Sequence, residues 1–177
     1  MKQIGNKLIK YHCFDTIIGL ALIAASEDGI CFLAFDKCEN ALIDELKLEF
    51  PRALLESKPN SKIYDFARRL ENALKGHWDE LSRLPLDPVG TPFQLKVWSA
   101  IQQIPVGSVS TYKKLAHKIG LENAHRAAAR GCAANKIALL IPCHRVIRSN
   151  GTLGGYRWGL KRKEELLNLE ACLIPSI

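Results

Sequence analysis

The chain has 177 residues, 47% hydrophobic and 24% charged, the range of a globular protein with one compact domain or two small ones. Its longest apolar run, residues 17–25, is too short to cross a bilayer, and the first ten residues lack the apolar segment of a secretory leader; a cytoplasmic address with no membrane partner is expected. Residues 1–90 hold 12 Lys/Arg against 14 Asp/Glu, whereas residues 91–177 hold 13 against 4, so the net +7 belongs to the second half and suggests a polyanion partner there.

In chain order, residues 16–25 and 30–35 read as strands joined by S-E-D-G, which predicts a hairpin turning at Gly29. Residues 38–50 place Leu42, Ile43, Leu46 and Phe50 on one helical face with acids opposite, and Pro51 ends the helix. Residues 61–75 form a second amphipathic helix through Ile63, Phe66, Ala67, Leu70 and Leu74, stopped by Gly76. Residues 84–92, L-P-L-D-P-V-G-T-P, suit an extended connector where the charge balance changes. This predicts an α/β domain over residues 1–85 and a mostly α-helical domain over residues 86–177.

In the second half, Thr91 can cap a helix that has Pro92 at its first position and runs through Phe93, Val97, Trp98 and Ile101. S-T-Y-K-K-L-A-H-K-I-G then reads as a short helix closed by Gly120, and A-H-R-A-A-A-R-G-C-A-A-N as a second, a helix-turn-helix pattern. The second helix carries six alanines and Gly131 beside Arg126 and Arg130. Small side chains permit the close approach that a minor groove demands, and arginine can meet phosphate or fill a gap left by a displaced base. They equally suit close helix packing in a core.

Six cysteines, at positions 13, 31, 38, 132, 143 and 172, form no C-x-x-C pair, so reduced thiols are expected. The spacing of His12, Cys13, Cys31 and Cys38 matches no familiar zinc pattern. Cys143 stands in L-L-I-P-C-H-R-V-I-R. Pro142 favours an extended backbone at Ile141, and extended neighbours face opposite sides. His144 therefore needs a turn or a bridging water to serve Cys143 as a base. A thiol with a pKa of about 8.5 is only a few per cent ionised at neutral pH. His144, Arg145 and Arg148 are candidates to raise that fraction, and Glu170 could orient the histidine. By residue type alone the stretch fits a buried cysteine beside a satisfied histidine, a cysteine hydrolase, or another nucleophile.

With Y-K-K-L-A and R-A-A-A-R-G-C-A-A-N before it and G-T-L-G-G-Y-R-W-G-L-K-R-K-E-E-L-L after it, I-P-C-H-R-V-I resembles the O6-alkylguanine-DNA alkyltransferases. The similarity covers residues 86–170 and is strongest to the C-terminal part of the bacterial adaptive-response members. The first half fits that family's ribonuclease-H-like α/β domain. The resemblance implies DNA repair by direct, single-turnover transfer of a methyl or alkyl group from O6-alkylguanine, or O4-alkylthymine, to Cys143. His144 would be the base through a water, Glu170 would hold the imidazole, and Asn135 would support the turn. Tyr112 would donate a proton toward the leaving base.

The resemblance further implies double-stranded DNA bound through its minor groove by the helix-turn-helix, at Ala127, Ala128, Arg130 and Gly131. The alkylated base would be flipped out and Arg126 would fill the gap. Val146, Tyr156 and Arg157 would line the base pocket, the last through its backbone. No metal or organic cofactor is implied, and a monomer is expected. Some relatives carry small residues after the tyrosine, where this chain has Arg157 and Trp158; a narrower pocket that favours methyl over benzyl-sized groups is expected. A non-catalytic DNA-binding damage sensor on the same fold is the alternative.

Overall fold

The apolar runs near the start of the chain become a sheet. A computed structural model describes residues 7–172, in two units that divide between Val89 and Gly90. In the first unit, strands β1 (Leu8–Thr16), β2 (Gly19–Ala25), β3 (Ile30–Asp36) and β4 (Leu54–Glu56) form a sheet in the order β3-β2-β1-β4. The first three are antiparallel neighbours, and short β4 joins β1 in parallel. Nearly every residue of β2 and β3 is buried, so these strands read as unbroken apolar runs rather than alternating ones. Helix α1 (Glu39–Glu49) lies against β3 and β2, and α2 (Ser61–Leu74) against β1 and β2. Asn60 caps α2 by accepting the Ile63 N–H at 3.1 Å.

The hairpin turns where S-E-D-G predicted. Ser26 N–H donates to Gly29 O at 2.9 Å, and a Cβ on Gly29 would lie 2.6 Å from Pro85 O, so only glycine lets the two backbones meet. That contact moves the expected boundary. Ile30 N–H donates to Pro85 O and Asp87 N–H donates to Ile30 O, each at 2.8 Å, which adds residues 85–87 to the first unit as an extended edge segment. Asp87 is buried and accepts from Lys7 Nζ at 2.7 Å and Ser26 Oγ at 2.8 Å. Prolines in the connector thus belong to a pinned edge, and the division falls four residues later than the 85/86 boundary read from composition.

The second unit is mostly helical: α3 (Pro92–Gln102), α4 (Tyr112–Lys118), α5 (His125–Ala133) and α6 (Leu160–Ala171), with a two-residue parallel pair of β5 (Ser110–Thr111) and β6 (Val146–Ile147). Thr91 and Gln94 form a reciprocal capping box with Pro92 behind it, so α3 starts where its side chains can satisfy its first N–H groups. Helices α4 and α5 are the two short helices of the helix-turn-helix pattern. Helix α5 approaches α3 closely at Gly131, where a Cβ would lie 3.1 Å from the Val97 methyls and where Trp98 Nε1 donates to Gly131 O at 2.9 Å. Among the described residues no helix is long and apolar enough to cross a membrane.

Candidate active site

All the candidate site residues lie in the second unit. The stretch around Cys143 is a single 3-10 turn, Cys143–Arg145, rather than the extended segment its proline predicted. Cys143 N–H donates to Ile141 O at 2.7 Å and Arg145 N–H to Pro142 O at 3.0 Å. The turn is held by Asn135, which is fully buried just after α5. Its Oδ1 accepts from Ile137 N–H at 2.9 Å, and its Nδ2 faces Ile141 O at 2.9 Å, Ile137 O at 3.2 Å and Cys143 Sγ at 3.2 Å. Two amide hydrogens are thus shared among three acceptors, one of them the thiol sulfur. Within the loop, Leu139 adopts φ +62°, uncommon for a leucine and sustained by the hydrogen bonds on either side of it.

His144 is fully buried and its Nε2 lies 2.8 Å from Glu170 Oε1. Burial lowers its pKa from the ordinary 6.5, Glu170 opposes that, and the nearby charges of Arg145 and Lys163 add to it. Arg145 clamps the same carboxylate: Nε donates to Oε2 at 2.9 Å and Nη2 to Oε1 at 2.8 Å, while Nη1 donates to Ile104 O at 2.6 Å. Gly107 N–H reaches Oε2 at 3.1 Å. Burial alone would raise the Glu170 pKa, but the hydrogen bonds from His144 and Arg145 hold it well below the usual carboxylate range. The arrangement is a neutral imidazole beside an ionised, arginine-paired carboxylate. In that state Nε2 carries the proton shared with Glu170, and Nδ1 offers its lone pair; Nδ1 is buried with no protein partner.

Cys143 directly precedes that imidazole in the turn. Burial pushes its thiol up to about 11, against the pull of the Asn135 hydrogen bond and of Lys163 and Arg157. At neutral pH the resting sulfur is protonated, so nucleophilic reaction requires the proton to leave as the substrate arrives. Tyr112, the first residue of α4, is likewise kept protonated, its pKa pushed up to about 12 mainly by burial. Its hydroxyl sits against Gly154, where φ is +69° and an added Cβ would come within 3.1 Å of the tyrosine oxygen.

These groups border a cavity of about 570 Å³ lined by Tyr112, Cys143, Tyr156 and Arg157, and by His125, Arg126, Ala129, Arg130, Cys132, Ala133, Arg148 and Gly155. Its size suits a planar heterocycle. Four expected positions, Val146, Ala127, Ala128 and Gly131, fall elsewhere. Val146 is wholly buried in the β5–β6 pair and does not line the cavity, because strand pairing turns it inward. Ala128 is wholly buried within the unit, where the close α3–α5 approach needs small residues. Gly131 is buried against Val97 for the same reason, and with Ala127 and Arg130 it edges a shallower cavity of about 300 Å³. Trp158 does not line the 570 Å³ cavity; it is buried edge-on to Tyr156 with ring centroids 5.2 Å apart, so it buttresses the wall.

Sequence reasoning missed one role and one group. Arg145, expected near the thiol, instead clamps Glu170, which only its adjacency to His144 signalled. Lys163 is fully buried and donates to Val146 O at 2.6 Å and Leu153 O at 2.5 Å. No group of three or more His, Cys, Asp or Glu among the described residues could hold a metal ion.

Residues 9–88 match the family described as 6-O-methylguanine DNA methyltransferase, ribonuclease-like domain, and residues 92–172 match its DNA binding domain. The bifunctional transcriptional activator/DNA repair enzyme Ada of Escherichia coli is 43% identical over 94% of this chain, which spans 46% of that protein, so the chain is under half the length of this relative. A methylated-DNA–protein-cysteine methyltransferase of Methanosarcina barkeri is 40% identical, over 90% of this chain and 96% of its own. Among solved structures, Mycobacterium tuberculosis OGT in complex with DNA aligns with a TM-score of 0.76 and 30% identity, over 94% of this chain and 96% of that one. With both halves matched and a full-length relative at 40% identity, the chain belongs to the 6-O-methylguanine DNA methyltransferase family.

Proposed function

We propose that this chain repairs DNA by taking a methyl or other alkyl group from O6 of guanine, or O4 of thymine, onto Cys143 Sγ, once per molecule. The observation that carries this reading is a protonated, buried thiol at the foot of a base-sized cavity, beside a neutral histidine whose partner carboxylate is already paired. In the transfer the Sγ–carbon bond forms as the oxygen–carbon bond breaks. The thiol proton passes to His144 Nδ1 through a bridging water, and Glu170 stabilises the imidazolium through Nε2. Tyr112, held protonated, donates toward the ring of the departing base so that it leaves neutral. Asn135 donates to the sulfur as charge develops on it. In the thioether product the sulfur is a poor leaving group from the alkyl carbon, so the group stays on Cys143 and the reaction is stoichiometric. Neither a metal nor an organic cofactor enters these steps.

The target atom is inaccessible in a stacked duplex, so the base must leave the helix. The exposed Arg126 and Arg130 of α5 border the cavity mouth, and Ala127 and Ala129 between them keep that face low enough for a minor groove. Double-stranded DNA is the partner, with Arg126 filling the space of the flipped nucleotide and a monomer as the acting unit. The test is incubation with an oligonucleotide carrying O6-methylguanine, followed by mass mapping of the protein. One methyl group on Cys143 per molecule is expected, and none in Cys143→Ala. DNA binding without transfer would overturn the reading in favour of a damage sensor. In the same assay Arg126→Ala should slow repair of duplex more than of single strands; equal losses would remove Arg126 from the gap.

A further inference from the structure

The two-residue β5–β6 pair sets Tyr112 and Arg148 side by side. The strands run parallel with Thr111 opposite Ile147, so the next residues, Tyr112 and Arg148, leave adjacent strand ends in the same direction. Each is then fixed by its own backbone. Thr111 caps α4 by accepting the Lys114 N–H at 3.1 Å, which starts the helix at Tyr112. Arg148 N–H donates to Thr152 O at 2.9 Å and Gly151 N–H donates to Arg148 O at 3.0 Å, closing a tight loop beyond β6. The two side chains meet over Gly154, where an added Cβ would lie 3.1 Å from the Tyr112 hydroxyl oxygen and 3.4 Å from Arg148 Cγ. Both border the 570 Å³ cavity, which no Asp or Glu lines. Among the described residues the exposed Arg148 guanidinium has no ion pair.

We propose that Arg148 is a positioning residue for departure of the base: its charge stabilises the Tyr112 phenolate that forms as the tyrosine protonates the leaving ring. This deepens the reading of Cys143 as acceptor and Tyr112 as proton donor, and rests on it. As the Sγ–carbon bond forms and the oxygen–carbon bond breaks, the Tyr112 O–H bond breaks too. Its proton goes to a ring nitrogen of the base and its electron pair stays on the phenolic oxygen. The negative charge lasts until the His144 imidazolium returns the thiol proton through water. Forming it is costly, because burial pushes Tyr112 up to about 12 and Cys132 and Cys143 act in the same direction; of the side chains acting on it, Arg148 alone pulls it down. During transfer Cys143 becomes a neutral thioether, and burial keeps Cys132 protonated. Of these three neighbours, Arg148 is then the one whose charge faces the phenolate. A base that fills the cavity excludes water and strengthens that attraction.

The test times single-turnover methyl transfer at saturating O6-methylguanine duplex, with affinity for the same duplex measured separately on proteins that also carry Cys143→Ala. Arg148→Met keeps the stem over Gly154 without the charge, and Arg148→Lys keeps the charge; at an exposed position both should melt with the wild type. The expected result is a rate about tenfold lower in Arg148→Met, a modest share of the roughly 10²–10⁴-fold that a positioned acid supplies, and largely restored in Arg148→Lys. In a Tyr112→Phe background, Arg148→Met should cost nothing further, because the phenolate it serves cannot form. Equal fractional losses with and without the Tyr112 hydroxyl would overturn the proposal and give Arg148 a contact of its own with DNA, as would a loss confined to affinity. An unaltered rate in Arg148→Met would overturn it and leave the repair reading standing, whereas no transfer by the wild type would overturn both.

Discussion

The two units bury different things. In the first, the buried polar or charged residues are Ser26 and Asp87, which sit at the hairpin and the edge segment and meet the half-exposed Lys7. In the second they are Asn135, His144, Arg145, Lys163 and Glu170, all within the turn, the loop and the helix around Cys143. A core built for stability alone favours apolar residues, because desolvating charge offsets much of the gain from pairing it. Ionisable groups concentrated around one thiol therefore set this region apart from a core built for packing, while the sheet of the first unit shows no comparable concentration among its described residues.

Glu170→Gln should break that contrast most sharply. It leaves Arg145 buried beside a neutral amide, and removal of one partner from a buried ion pair costs about 3–5 kcal/mol. Asp87→Asn in the first unit loses one charge facing Lys7, whose side chain is 26% exposed, and keeps hydrogen-bonding capacity toward Ser26; about 1 kcal/mol is expected there. Urea unfolding of both variants measures the difference, and equal losses would refute it. Acid should have the next largest effect. The pKa of His144 in the folded chain lies below the ordinary 6.5, so as pH falls the unfolded chain takes up this proton first. Stability that is fully present above about 6.5 is then lost below it, and the depressed Glu170 adds a further loss below about 4.3, the ordinary value for a glutamate. Amide hydrogen exchange at pH 5 should show α6 losing protection before α2; the opposite order would mean that the buried imidazole is not the acid-sensitive point.

The first unit was legible wherever local pattern suffices. The β2–β3 hairpin announces itself by S-E-D-G between apolar runs, and both helices by their apolar stripes. Strand β1 was missed because it carries Lys10, Tyr11, His12 and Asp15, with most of its residues half-buried, and three-residue β4 is too short to show a period. In the second unit Thr91 and Pro92 marked the start of α3 from sequence, and the family resemblance around Cys143 pointed to Asn135, His144 and Glu170, which the fold brings together. Geometry within the motif was harder to read. Local preference at Ile141, before Pro142, favours extension, yet Asn135, eight residues before Cys143, reaches across and closes a turn. Lys163 was hidden for a related reason. In K-R-K, every member looks like a solvated helix face, and only packing against residues 146–155 makes Lys163 the buried one while Lys161 stays exposed.

The smallest effect expected concerns what the cavity admits. Trp158 reaches the adduct only through Tyr156, against which it stands edge-on, and Tyr156 in turn stands edge-on to His144 with ring centroids 6.4 Å apart. A benzyl-sized group needs Tyr156 to yield, and a buried tryptophan behind it opposes that movement. Trp158→Ala should leave methyl transfer close to wild type while raising benzyl transfer about tenfold, the scale on which apolar pockets discriminate by size. Competition between O6-methylguanine and O6-benzylguanine oligonucleotides measures the ratio directly. If both rates change together, the buttress governs the acceptor turn as a whole; an unchanged ratio with intact folding would place the size limit on Arg157 at the cavity mouth instead.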